Sequence, residues 1–251
     1  MATLPNQLPR ITLPAGTLVD TTGDGPWHEP LLWYADEPAR PGDWSRLRAT
    51  GRPLGLLPVL IDGGRRDEGP TEWELRPADT TYPGDHDAEE VLSEAWEAYA
   101  SDELEVPAPW PGLAPAPAAS TAGTPDELAA EMADMLADTA RPALVPARRS
   151  ADIPAAIGWT GPLNHENDVA RLCAVLRSWE DRFDIRVVEL GFDTLKVSVG
   201  RPPTTEAEAY ALAAEHFAFC PDNIGATPPG GLRGYAHSHL LGQEVWTFWW
   251  D

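Results

Sequence analysis

The stretch Ile185-Arg186-Val187-Val188-Glu189-Leu190-Gly191-Phe192-Asp193-Thr194-Leu195-Lys196-Val197-Ser198-Val199-Gly200-Arg201 decides the fold. Two β-branched runs meet at Asp193-Thr194, which predicts an antiparallel hairpin ended by Pro202-Pro203. Upstream, Val169, Leu172, Cys173, Leu176, Trp179 and Phe183 recur at helical spacing, so a helix lays one face on that hairpin. Asn164 is placed to cap it. Glu166 and Asp168 in its first turn, with Arg177 and Arg182 near its end, follow the order the helix dipole favours. Downstream, Thr205 and Glu208 form a capping box for a second helix carrying Leu212, Ala213, His216, Phe217 and Cys220, stopped by Pro221. A Gly/Pro loop and a short helix over 232–240 lead to Val245-Trp246-Thr247-Phe248-Trp249-Trp250-Asp251, which reads as a strand. With 155–159 as the first strand the order is β-α-β-β-α-β, an α+β unit of ferredoxin-like or similar two-layer form. Trp246, Phe248, Trp249 and Trp250 make both faces of the last strand apolar, so the N-terminal half is expected to cover it.

Working outward, Thr124-Pro125-Asp126-Glu127 supplies an N-cap, a proline at the first helical position and a capping-box glutamate, so a helix is predicted over 125–139. Leu128, Met132, Met135 and Leu136 form its apolar stripe. Residues 107–123 are Pro- and Ala-rich and read as a linker. Ahead of them, 31–34 reads as a strand and Asp43 opens a short helix closed by Gly51. The apolar run 54–61, ended by Asp62-Gly63-Gly64, reads as a buried strand with 73–75 as its partner. Asp87 and Glu90 open a helix striped by Val91, Leu92, Ala95, Trp96 and Tyr99. The organisation expected is an N-terminal α+β region over 1–106, the linker, a helix and connector over 124–150, and a C-terminal α+β domain over 151–251.

Charge narrows the function classes. The 251 residues carry a formal charge of −22, with 26 acidic and 11 basic side chains in 1–150 and 14 and 7 in 151–251. Lys196 is the only lysine. Such a surface repels phosphate backbones and anionic lipid, so direct nucleic-acid and membrane binding are disfavoured, and a basic protein partner is the binding class it favours. Abundant Ala, Pro, Gly and Arg with one Lys matches the codon usage of a GC-rich bacterial genome. Met1 leads into Pro-containing polar sequence without a basic or apolar leader, and Cys173 and Cys220 form no ligand or disulfide spacing, so a cytoplasmic protein without cofactor is expected.

Four motifs occur in order: Arg177-Ser178-Trp179-Glu180-Asp181-Arg182-Phe183, Gly191-Phe192-Asp193-Thr194-Leu195, Ala214-Glu215-His216-Phe217-Ala218-Phe219-Cys220-Pro221-Asp222-Asn223-Ile224, and Phe248-Trp249-Trp250-Asp251. Together they resemble the bacterial family called domain of unknown function 4253, common in actinomycetes, over roughly 111–251. Members of that family continue the Asp-Asn-Ile motif with Trp-Gln-Gly where this chain has Gly225-Ala226-Thr227. The resemblance implies no activity.

The chemically dense segment is 215–222. His216 and Cys220 lie four residues apart on one helix face with Asp222 just beyond, a spacing that suits a metal; a core histidine beside a buried thiol explains the same residues through packing, which is the reading taken. His237 and His239 would be further ligands. Trp179, Arg182, Arg201, Glu215, His216, Asp222 and Trp249 are the candidate pocket, with Arg201 either holding a carboxylate or latching two regions together. No nucleotide cradle, hydrolase elbow or zincin motif is present. The function expected is therefore a non-catalytic binding protein with an acidic surface, an inhibitor or immunity-type partner of a basic protein being the special case. The alternative is a metal-assisted hydrolase built on Glu215, His216, Cys220 and Asp222.

Overall fold

A computed structural model of the protein describes residues 8, 11–103, 109–118, 123–225 and 231–251. Its strands are β1 (Gly16–Val19), β2 (Thr21–Thr22), β3 (Gly25–Pro26), β4 (Leu32–Ala35), β5 (Leu57–Ile61), β6 (Arg141–Val145), β7 (Arg186–Leu190), β8 (Thr194–Ser198) and β9 (Val245–Trp249). All but the small β2–β3 hairpin join one seven-stranded sheet in the order β1-β4-β6-β5-β7-β8-β9. Every pairing is antiparallel except that of β5 with β7. The class is α+β, as expected.

The strand order differs from a ferredoxin-like sandwich. Residues 155–159 are not a strand: Ile153–Ile157 is a short helix, α4 here, with Pro154 in its first turn and ended by Gly158 at φ 64°, where a Cβ would run into the backbone of Arg76 and Pro77. The strand that precedes the helical crossover is β6, which lies in the stretch expected as helix and connector and carries Pro142, a residue unusual in a central strand. The sheet accommodates Pro142 and Pro58 alike. Both pair across the β5–β6 ladder, while the outer ladders run only over Ala143 and Leu144 towards β4 and over Leu60 and Ile61 towards β7. The missing amide protons thus fall where no ladder continues. Because β5 lies between β6 and β7, the sheet runs unbroken across the boundary expected at 151.

Helices α1 (Asp43–Gly51) and α3 (Pro125–Met135) cover one face: Trp44, Ala129, Met132 and Ala133 pack on Leu60 and Val188. The other face carries α5 (Val169–Phe183) and α6 (Glu206–Phe219), and α2 (Ala88–Glu103) packs against both. Helices therefore lie on both faces rather than one. Residues of β4, β5, β6 and β7 are buried nearly throughout, which two-sided cover requires. The capping boxes at Thr124/Glu127 and Thr205/Glu208 form as predicted.

Several local expectations are corrected. Asp168, not Asn164, caps α5, its carboxylate accepting from the Ala170 amide, and Asn164 instead donates to the Asp251 carbonyl at 2.5 Å. Residues 73–75 form no strand, and α3 ends at Met135 rather than 139. The last strand is an edge strand with alternating burial: Trp246 and Phe248 point into the core while Val245, Thr247 and Trp249 face solvent, so the N-terminal half does not cover it. Of the linker, 107–108 and 119–122 lie outside the described residues, but within 109–118 Ala114 is buried in the main core.

Candidate functional site

The last turn of α5 and the third turn of α6 face each other and bring Trp179, Arg182, Glu215 and His216 together. Glu215 is wholly buried. Arg182 grips its carboxylate with two parallel bonds, Nη1 to Oε1 at 2.8 Å and Nη2 to Oε2 at 2.6 Å. Trp179 Nε1 donates to Oε2 at 2.8 Å, and the Ala114 amide donates to Oε1 at 2.6 Å. Arg182 Nη1 also donates to the Ala114 carbonyl at 2.7 Å. Four donors thus meet two carboxylate oxygens, the fork geometry in which a buried ion pair is satisfied rather than stranded. The same bonds fasten the Pro/Ala-rich segment to the core.

His216, also wholly buried, turns into an aromatic box. Its ring centre lies 4.8 Å from that of Trp179, 4.6 Å from that of Trp246 and 4.9 Å from that of Phe248. Asn223 Nδ2 donates to the Tyr235 hydroxyl at 3.3 Å, and that hydroxyl is hydrogen-bonded to His216 Nδ1 at 3.1 Å. Burial, reinforced by nearby His239, holds the imidazole pKa well below its usual value and keeps the ring neutral. Nε2 finds no hydrogen-bond partner among the described residues.

Beyond α6 the chain turns back to tie down β9. The Cys220 thiol, pushed up to about 12 by burial, donates to the Trp249 carbonyl at 3.0 Å. Asn223 acts as a surrogate strand: Nδ2 donates to the Thr247 carbonyl at 2.7 Å and Oδ1 accepts from the Trp249 amide at 3.1 Å. This closes the free edge of β9 against further pairing. Asp222 Oδ2 accepts from the Asp251 amide at 3.0 Å and lies 2.9 Å from His165 Nε2. Two of the sequence motifs, the segment ending α6 and the Trp-rich terminus, are therefore each other's binding partners.

The seven candidate residues divide. Trp179, Arg182, Glu215 and His216 converge in the core, and Asp222 stands apart at the chain terminus. Arg201 pairs with Asp184 at 2.7 Å and donates to the Asp181 carbonyl at 2.7 Å, a latch on the end of α5 rather than between regions. Trp249 is 39% exposed with its indole 3.3 Å from Asp193 Oδ2. His216, Cys220 and Asp222 each serve a different partner, and among the described residues no three His, Cys, Asp or Glu side chains are grouped to hold a metal. His237 and His239 part company: His237 lines a cleft with Tyr210 and Arg233, and His239 stacks on Tyr235. His165, which sequence reading passed over, lies beside Tyr99 and Arg171 in a shallow hollow of about 180 Å³.

The geometry is that of an α+β protein whose core is sealed by a buried ion pair and whose last strand is held by side chains. Residues 141–251 match the family model described as Domain of unknown function (DUF4253), the family whose motifs the sequence resembles. The match begins at Arg141, the first residue of β6, rather than near 111, and takes in somewhat under half the chain. No curated protein and no solved structure matches the chain. Among the described residues no helix is long and apolar enough to cross a membrane.

Proposed function

We propose that this is a non-catalytic binding protein that receives a basic protein partner on an acidic face, an inhibitor or immunity-type role being the special case. The observation that carries this reading is where the charge sits. Between 67 and 103 there are 13 acidic side chains and a single basic one, Arg76, a net −12 out of −22 for the whole chain. Much of that charge projects from α2, where Glu89, Glu90, Glu94 and Glu97 are exposed. The reading is also supported by the fate of the chemically capable groups. Glu215 and Cys220 are buried and spend their polar atoms on the fold, and His216 is buried with Nδ1 bonded to Tyr235. Concentrated charge of one sign steers an oppositely charged partner and makes the association salt-sensitive.

The test is capture from native lysate at low and high salt with the intact protein and a Glu89→Gln/Glu90→Gln/Glu97→Gln variant. A specific basic protein retained at low salt, released at high salt and lost with the variant is the expected result. Background alone at every salt concentration overturns the reading. Stoichiometric metal in protein purified without chelator would favour the hydrolase alternative instead.

A further inference from the structure

Arginines converge where the net charge would least suggest it. Of seventeen in the chain, Arg48 on α1, Arg52 just past its end, Arg148 and Arg149 after β6, and Arg186 opening β7 line one hollow of about 100 Å³, with Glu180 of α5 the acid in its wall. The carboxylates around it do not balance them. Asp126 of α3 contacts Arg48 and is shared with Arg186 at 2.9 Å and Arg52 at 3.9 Å. Glu180 serves Arg149 at 2.7 Å and Arg186 at 3.4 Å, and Asp181 takes Arg149 at 2.5 Å. Five positive charges thus meet three negative ones. Arg148 has no acidic partner among the described residues, and the Arg52 side chain is 66% exposed. Burial, together with repulsion from Arg52 and Arg186 working against the attraction of Asp126, holds the Arg48 guanidinium below its ordinary range.

We propose that this hollow binds a phosphoryl group, as free phosphate or as the phosphate monoester of a small molecule. The surplus of two positive charges matches a dianion, and guanidinium forks present paired N–H donors to tetrahedral oxygens. A long polyanion is disfavoured by the acidic remainder of the surface, whereas a small one meets only the local field. The hollow is lined from α1, β5, α5, β7 and the connector after β6, so a bound anion also bridges the two parts of the chain. It is independent of the acidic face on α2.

Isothermal titration with inorganic phosphate and, separately, phenyl phosphate, at constant ionic strength set by chloride, tests the assignment on the full chain. Saturable one-to-one binding of either is expected, weakened about tenfold or more in Arg148→Gln and further in Arg52→Gln/Arg148→Gln, with Arg76→Gln unchanged. Tighter binding of phenyl phosphate identifies a monoester ligand, and tighter inorganic phosphate the free ion. Affinity should fall as pH drops below about 6, where a phosphate monoester becomes a monoanion. Both Arg148 and Arg52 are exposed, so circular dichroism and thermal melting of the variants should match the parent. Absence of saturable binding by either anion, or affinity unaltered by the double substitution, overturns the assignment and leaves the arginines as a staple between the two parts.

Discussion

Two clusters of charge in this molecule are built in opposite ways. Around Glu215 one carboxylate meets one guanidinium, an indole and an amide, with every oxygen occupied and the carboxylate wholly buried. Around Asp126 and Glu180 five guanidiniums outnumber their carboxylates and open onto a hollow. A closed, balanced cluster holds a fold together; an open, unbalanced one has binding capacity left over. The family motifs lead to the first, and the anion site proposed above lies in the second.

The comparison can be broken at its strongest point by Glu215→Leu, which strands Arg182, the Trp179 indole and the Ala114 amide. Chemical denaturation should show a loss of about 3–5 kcal/mol. A smaller effect follows at the neighbouring clamp: Asn223→Ala hands the Thr247 carbonyl and Trp249 amide over to solvent, costing about 0.5–1.5 kcal/mol, with faster hydrogen exchange at the Trp249 amide. His216 sharpens the picture through pH. Its folded pKa is depressed, so above about 6.5 neither state binds the proton and stability is unaffected. Below that, the unfolded chain takes up a proton the folded chain refuses, and stability falls by up to about 1.4 kcal/mol per pH unit until the depressed folded pKa is reached. Urea titrations at stepwise lower pH should show this slope, and His216→Gln should flatten it. At the open cluster the expected effect on stability is smallest: Arg148→Gln shifts the unfolding free energy by no more than about 0.5 kcal/mol.

Where local rules governed, the sequence was readable. Both capping boxes, the apolar stripe of α5 and the Asp193-Thr194 hairpin turn rest on neighbours in the chain, and all appear in the structure. Pairings of long range were hidden. Pro142 disguised β6, since only the truncated outer ladder makes a central proline tolerable, and no local signal places β5 between β6 and β7. The Trp-rich terminus looked two-sided because its apolar content was complete, whereas burial depends on what lies opposite, and Trp249 sits on the outward face, 39% exposed. Within the site, His216 stood out on the apolar stripe of its helix and Glu215 only as its charged neighbour, and the bonds that reach Glu215 from Arg182 and Ala114 span 33 and 101 residues. The arginine hollow is scattered over five positions from 48 to 186, and no local pattern joins them: Arg148-Arg149 is adjacent, but so is Arg65-Arg66 elsewhere in the sequence.

A double-mutant cycle on Arg182 and Glu215 bears most directly on the reading of the core cluster as structural. Unfolding free energies of Arg182→Met, Glu215→Leu and the combined variant should show a coupling of about 2 kcal/mol, the double substitution costing well under the sum of the singles because each alone leaves a charge buried without its counterpart. Strictly additive losses would mean that the two side chains do not depend on each other, and the closed cluster described here would not exist.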